Sequence, residues 1–234
     1  MTHAELLAAG YDLDAAAHAR LDHFVRVLVE ENRRLNLTGA ASGDDLWRLH
    51  VCDSLALLPL LRAKPPRRLL DIGAGGGLPG LPIACCCPDV AVTLLDATRK
   101  KVAAIRRMIA ALGLENVQAL WGRAEVLAHD PAHREQYDAV TARAVAELRV
   151  LLEYATGFIQ PGGLGYFFKT PASLDAELRA AAESARACGL EHVKTRDYEL
   201  TDRGAGRAIL VYRKRSPLAA HLPRPPGRAR KRPL

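Results

Sequence analysis

Leu69-Leu70-Asp71-Ile72-Gly73-Ala74-Gly75-Gly76-Gly77-Leu78-Pro79-Gly80 decides the fold. Two apolar residues run into an acid, a glycine-rich turn follows, and Leu81-Pro82-Ile83-Ala84 opens a helical pattern. That order reads as strand, tight turn, helix. Five glycines in eight residues permit positive φ and let a ligand approach the main chain closely. The helix start behind the turn offers free N–H groups to a polar or anionic ligand. An ordinary strand-to-helix turn is the competing reading, and the next acid weighs against it.

That acid is Asp96, which ends the apolar run Val90-Ala91-Val92-Thr93-Leu94-Leu95, 25 positions after Asp71. A carboxylate at the tip of a second strand is placed to accept hydrogen bonds from both ribose hydroxyls of a nucleotide. Asp71, two residues before Gly73, suits a ligand carrying positive charge, such as the sulfonium and ammonium groups of S-adenosylmethionine. The stretch therefore favours S-adenosylmethionine over a nicotinamide dinucleotide.

A chain of 234 residues suits one α/β domain with an appendage. Its 49% hydrophobic and 25% charged residues are ordinary for a soluble globular protein. No apolar run approaches a membrane span, and Met1-Thr2-His3-Ala4-Glu5 lacks the basic start of a secretory signal, so a cytoplasmic location is expected. Five cysteines, three of them consecutive (Cys85, Cys86, Cys87), form no C-x-x-C pair, and no metal site is expected. The net charge of +7 is a property of the tail. From Arg213 to Leu234 there are eight basic residues and no acid, while the other 212 residues hold 25 basic and 26 acidic ones. A basic, proline-rich tail attracts phosphate backbones; a solvated end without a partner is the alternative.

Read in order, helices are expected over Leu13–Arg34, capped by Asp12 or Asp14, and from Asp44 or Asp45 to Leu61, stopped by Lys64-Pro65-Pro66-Arg67. Strands and helices then alternate: strands Arg68–Ile72, Val90–Leu95, Asn116–Trp121, Tyr137–Ala142 and Leu164–Phe168; helices Leu78–Cys87, Thr98–Leu112, Glu147–Ile159 and Ser173–Cys188. His192–Leu200 and Ala208–Arg213 close the pattern as a hairpin around Gly204 and Gly206. Repeated βαβ units predict an α/β fold with a parallel, Rossmann-like sheet and helices on both faces. The divisions are a helical cap over 1–64, a nucleotide-binding unit over 65–213 and a basic tail over 214–234. Gly73, Asp96, Ala124-Glu125 and Arg143 all fall at the carboxyl ends of strands, where ligands bind in such sheets.

Asn36-Leu37-Thr38, His50-x-x-Asp53-Ser54-Leu55, the Asp71–Pro82 loop, Leu95-Asp96-x-x-x-Lys100-Lys101 and Arg123-Ala124-Glu125 together resemble the small-subunit ribosomal RNA methyltransferase G family, also called glucose-inhibited division protein B. Tyr137-Asp138-x-Val140-x-x-Arg143-Ala144-x-Ala146, Pro161-Gly162-Gly163 and the end, Pro223-Arg224-x-Pro226-Gly227 with Lys231-x-Pro233-Leu234, extend the resemblance over nearly the whole chain. It implies a class I S-adenosylmethionine-dependent methyltransferase that methylates guanine N7 at nucleotide 527 of 16S ribosomal RNA. Carried over residue by residue, Gly73, Gly75, Leu78, Asp96, Ala97, Thr98, Ala124, Glu125 and Arg143 are the cofactor candidates. The implied partner is 16S RNA, the small ribosomal subunit or its assembly intermediate, and a monomer is expected. The cysteine triplet and the arginine content of the tail depart from the family pattern.

Guanine N7 carries a lone pair and no proton, so no general base is needed, and no catalytic side chain is assigned; positioning supplies the rate. His50, Asp53, Ser54, Lys100, Lys101, Arg224 and Lys231 are candidates for RNA contact. For His50, Asp53 and Ser54 the competing reading is a polar cluster that fixes the helical cap to the sheet. Aromatics are only 5% of the chain, and Tyr166, Phe167 and Phe168 read as core, so no base-stacking platform is evident. A nicotinamide-dependent oxidoreductase and a non-catalytic ribosome-binding protein are the alternatives; the former requires a hydride-chemistry dyad, the latter no cofactor affinity.

Overall fold

A computed structural model describes residues 1–8, 10–39, 42–200 and 206–234. A short helix α1 (His3–Ala8), which no sequence signal announced, precedes the long helix α2 (Ala15–Leu35). Asp14 is the N-cap of α2, its carboxylate accepting from the Ala17 N–H at 2.6 Å, while Asp12 pairs with Arg62 at 3.1 Å. Leu21, Phe24, Val25 and Leu28 form the buried stripe of α2.

The single helix expected up to Leu61 is instead broken. It consists of α3 (Gly43–Leu46), a π-helical turn (Trp47–Val51), α4 (Cys52–Leu55) and α5 (Leu58–Ala63). Pro59 explains the last break: without an N–H it cannot bond back to the Leu55 carbonyl, and its ring crowds that turn.

The sheet follows: β1 (Arg68–Ile72), α6 (Gly80–Cys86), β2 (Ala91–Asp96), α7 (Arg99–Leu112), β3 (Val117–Trp121), α8 (Ala124–Leu127), β4 (Tyr137–Arg143), α9 (Leu148–Thr156) and β5 (Ile159–Lys169). After a 3₁₀ turn come α10 (Leu174–Ala180), α11 (Ala182–Ala187), β6 (Leu190–Glu199), β7 (Gly206–Lys214) and α12 (Arg228–Lys231). Among the described residues seven strands form one sheet in the order β3-β2-β1-β4-β5-β7-β6. β1 to β5 pair in parallel, whereas β7 runs antiparallel to both β5 and β6. The expected hairpin is therefore present; Gly204 of its turn lies outside the described residues.

Three further features differ from the sequence reading. β5 starts at Ile159, not Leu164, because Pro161-Gly162-Gly163 is a bulge in the strand and not the end of a helix. Tyr137 pairs with Ile159 and Ala139 with Leu164, so the extra residues loop out, Gly162 taking φ 82°. The alanine-rich helix is split at Ala181, and nothing in the sequence marks that break. The tail, finally, folds back on the helices: Leu222, Pro223 and Ala229 are buried, Arg224 pairs with Glu153 of α9, and the Ser184 hydroxyl of α11 donates to the Leu234 carbonyl at 2.7 Å.

Apolar residues pack on both sheet faces. One cluster joins α2, α4 and α5 to β1, β2, α6 and α7; the other joins β4, β5 and β7 to α9 and α11. Tyr166, Phe167 and Phe168 are buried, as their alternation along a covered strand requires. The five cysteines are free thiols, and burial holds Cys85 up at about 12. Among the described residues no group of metal-ligating side chains occurs, and no helix is long and apolar enough to cross a membrane.

Candidate functional site

The glycine loop is built on Asp96. Gly73, Gly75 and Gly77 take φ of 70°, 57° and 84°. At Gly73 there is no room for a side chain either, since a Cβ would come within 2.6 Å of Val145 Cγ2. The Gly73 and Ala74 N–H groups donate to the Leu95 carbonyl at 2.7 and 3.0 Å. The Asp96 carboxylate accepts from the Gly75 N–H at 2.9 Å on one oxygen and from the Thr98 N–H at 2.7 Å on the other. It thus ties the loop after β1 to the loop after β2, while each oxygen keeps a further lone pair for a ligand.

Asp71 plays another part than the charge complement read from the sequence. Its side chain is wholly buried under the start of α6, where Oδ2 accepts from the Gly80 N–H at 2.9 Å and Oδ1 has no partner. Burial pushes its carboxyl up to about 7, against the Gly80 hydrogen bond, which favours the charged form. Asp71 anchors the loop from below. Gly80 must be glycine, because a Cβ there would lie 2.1 Å from Leu94 Cδ2 and 2.9 Å from Asp71 Oδ2.

Two cavities open at the carboxyl ends of the strands. The first, about 210 Å³, is lined by Gly73, Asp96, Ala97, Ala124 and Glu125, with Val145 and Tyr154 opposite. It brings together five of the nine cofactor candidates. Of the other four, Gly75 and Thr98 donate to Asp96 without lining the cavity, and Leu78 is buried in the core. Arg143 lies in the second cavity, about 400 Å³, with His50, Asp53, Phe168, Lys169 and Arg207. Arg143-Ala144-Val145-Ala146 is the partition: Val145 faces the first cavity, its neighbours the second.

Arg143 is held from two sides. Its Nη1 donates to Asp53 Oδ2 at 2.7 Å, and Nη2 lies 3.3 Å from His50 Nδ1. The Tyr198 hydroxyl donates to the other Asp53 oxygen at 2.5 Å. Burial, and then the Arg143 charge, bring His50 down to about 4, so near neutral pH it is an uncharged acceptor for the guanidinium. Burial and the Asp53 carboxylate raise the Tyr198 phenol far above its usual range. The cap residues therefore lock α4 and the π-helical turn to β4 and β6.

Sequence reasoning missed the part of the site that comes from the tail. Gly227 and Arg230 line the first cavity, and the Gly227 N–H donates to Glu125 Oε1 at 3.1 Å. Tyr154 stands between Glu125 and Arg230; burial and the Glu125 carboxylate raise its hydroxyl, and Arg230 opposes them. The segment is fixed by Arg224, which grips the fully buried Glu153 through Nε at 2.9 Å, Nη2 at 2.5 Å and its backbone N–H at 2.8 Å. The only sequence signal was the Pro-Arg-x-Pro-Gly spacing itself.

Two further RNA candidates, besides His50 and Asp53, are engaged within the chain. The Arg224 fork is engaged by Glu153, because a buried carboxylate demands a cation. Ser54 is fully buried and donates to the His50 carbonyl at 2.6 Å, one helical turn back. Lys100 and Lys231 are exposed and Lys101 is half-buried. Lys169 reaches the Ala146 carbonyl at 3.1 Å and Glu177 at 2.6 Å.

The fold is shared with solved proteins of differing chemistry. A YcgJ protein from Bacillus subtilis superposes with a TM-score of 0.54 at 15% identity, covering 71% of this chain and all of that one. The [4+2]-cyclase SpnF does so with a TM-score of 0.50 at 21% identity, over 65% of this chain and 75% of its own. Such likeness shows the fold alone. Sequence goes further. A ribosomal RNA small subunit methyltransferase G from Gloeobacter violaceus is 39% identical over 225 residues, 96% of this chain and 89% of that protein. Its namesake from Moorella thermoacetica is 35% identical over 225 residues, again 96% of this chain, and 93% of that protein. The GidB profile, described as rRNA small subunit methyltransferase G, matches residues 17–204, and the chain belongs to that family.

Proposed function

We propose that this protein transfers the methyl group of S-adenosylmethionine to N7 of guanine 527 in the 16S RNA of the small ribosomal subunit. Family membership makes it a ribosomal RNA methyltransferase and removes the nicotinamide-dependent alternative. The position and the atom follow from the family resemblance. One observation carries the cofactor reading: a cradle too tight for any Cβ at Gly73 opens beside two buried carboxylates, Asp96 and Glu125. Such a cavity, rich in acceptors, fits a ligand with ribose hydroxyls, an amino-bearing base and a cationic sulfur.

When bound, the cofactor supplies an electrophilic methyl group. Asp96 accepts from the ribose hydroxyls and Glu125 from the adenine amino group or the ribose. Gly73, Ala97 and Ala124 shape the wall; Gly75 and Thr98 hold the Asp96 carboxylate through their N–H groups, and Leu78 packs in the core. Arg143 presents a fixed fork to a cofactor carboxylate or an RNA phosphate. Its partners His50 and Asp53 orient it and are not proton acceptors for the reaction. Guanine N7 needs none, and the chain's task is to hold two partners in line and keep water out. Lys100, Lys101 and Lys231 meet RNA phosphate. In functional terms 1–64 is the cap over the second cavity, 65–213 the methyltransferase unit, and 214–234 the segment that closes the first cavity. We place the protein in the cytoplasm, where free thiols stay reduced, and expect it to act as a monomer.

The test is transfer of labelled methyl to small subunits isolated from cells lacking this gene, with the product mapped by nucleoside mass spectrometry. Label in 7-methylguanosine at one site is expected. Cofactor binding with no label on subunits, on naked 16S RNA or on assembly intermediates would overturn the substrate assignment. RNA binding without cofactor affinity would leave the non-catalytic reading.

A further inference from the structure

Trp121 stands at the carboxyl end of β3, level with Asp96 across the strand pair. It is 52% exposed, against 4% for Trp47, the chain's other tryptophan. A large apolar ring left in water at a strand end is worth explaining when its surroundings are arranged. Here they are. The indole N–H donates to the Ala97 carbonyl at 3.1 Å, which fixes the ring plane. The Arg99 guanidinium lies over the ring, its Cζ 4.9 Å from the centroid. Ala97, Gly122 and Arg123, which flank the ring in sequence or by hydrogen bond, line the first cavity, so Trp121 sits at its rim.

The exposed charges that flank the ring in sequence are cations, while Asp96 across the strand pair is buried and engaged by two backbone N–H groups. Arg99, Lys100 and Lys101 open α7, and Arg123 follows β3; among the described residues no ion pair engages any of the four. α7 has five cations in 14 residues and no acid. Cations alone would serve an acidic protein as well as RNA. A ring held flat, with its only donor already used, serves a partner that has both phosphates and planar faces.

We propose that Trp121 is a stacking platform for an unpaired nucleotide near the target guanine, with Arg99, Lys100, Lys101 and Arg123 taking the adjacent phosphates. The proposal rests on the RNA methyltransferase reading above and adds the surface by which RNA approaches the cofactor cavity. Stacking on an aromatic ring tolerates any base, so the platform positions the RNA without selecting its sequence.

The test compares Trp121→Ala with Trp121→Phe, with methyl transfer to small subunits as the readout. Loss of the ring should raise the KM for subunits by about 5- to 150-fold, the scale of one base–aromatic stack, while phenylalanine keeps it near wild type. The Kd for S-adenosylmethionine, measured by calorimetry without RNA, should match wild type in both variants. A wild-type KM in Trp121→Ala overturns the proposal. So does a parallel loss of cofactor affinity in both variants, which would make the ring a mere clasp on Ala97. A second readout does not depend on methyl transfer: 16S RNA should shield the exposed indole from acrylamide quenching, and unchanged quenching in the RNA-bound protein counts against the platform. Should the wild-type protein transfer no methyl group, the functional reading fails, while shielding by RNA still decides the platform. Photocrosslinking from Trp121→benzoylphenylalanine should join RNA; adducts with ribosomal protein alone overturn the choice of partner.

Discussion

Asp53→Ala removes one buried acceptor from two half-buried donors. In the native protein Arg143 Nη1 and the Tyr198 hydroxyl approach the two Asp53 oxygens at 2.7 and 2.5 Å. The carboxylate is 7% exposed and the guanidinium 15%, so the pair is shielded from bulk water. Removing one partner of a buried pair costs about 3–5 kcal/mol, mostly because the other charge is left without compensation. Arg143 keeps a contact to neutral His50, which places the arginine's share near the lower end. The orphaned Tyr198 hydroxyl adds about 1 kcal/mol. A loss of about 3–4 kcal/mol is therefore expected, a large part of the 5–15 kcal/mol that holds a typical domain together. The assay is urea denaturation with the slope checked for constancy. A double variant, Asp53→Leu with Arg143→Met, should lose less than Asp53→Ala alone, because no lone charge is then buried. A loss below about 1 kcal/mol in Asp53→Ala, the scale of exposed pairs, would refute the argument. The cap would then be held by its apolar contacts, and the locked Arg143 would carry no weight.

Asp96→Asn should weaken S-adenosylmethionine binding about tenfold or more by calorimetry, since charge-assisted hydrogen bonds become neutral ones; an unchanged Kd would remove Asp96 from the site. Asp71 has a folded pKa raised from 3.8 to about 7, so it binds its proton more tightly when folded. Its stabilising share is complete below about pH 4 and is lost as pH rises to 7; Asp71→Asn should lack that slope in pH-dependent denaturation. His50 is shifted the other way, from 6.5 down to about 4, so its share is present above pH 6.5 and is lost as pH falls towards 4. His50→Gln should flatten that acid limb, and an unaltered limb would count against a neutral His50. Arg224→Ala leaves Glu153 buried without a cation and should expose the segment after Lys214 to limited proteolysis while weakening cofactor binding, because Gly227 and Arg230 lose their anchor.

The sheet and the glycine loop were legible because they obey local rules. Glycines at positive φ, an acid at the tip of β2 and apolar runs bounded by turns all leave marks in the sequence. The strands were found within a few residues, apart from β5, where Pro161-Gly162-Gly163 looks like a helix stop and is a bulge. What stayed hidden depends on partners far along the chain. Nothing near Arg224 says that Glu153 waits for it 71 residues away, and nothing near Asp53 announces Tyr198, 145 residues on. The tail was read by its charge, and the sequence did not show that Arg224 pairs with Glu153 or that Gly227 walls the first cavity. Asp71 was read by charge alone. Its burial, the fact that matters, follows from the pairing of β1 between β2 and β4.

The partition between the cavities has a thermodynamic consequence. Val145 faces one chamber while Arg143, Ala144 and Ala146 face the other, and Ala144 holds φ at 55°, a conformation that a non-glycine residue keeps only under constraint from both neighbours. A shift of this wall that suits the occupant of one chamber reshapes the other. Linkage then makes the effect mutual: whatever factor an occupant of one chamber imposes on affinity in the other, the second occupant imposes on the first. The order in which the two ligands arrive changes the path but leaves the stability of the ternary complex the same.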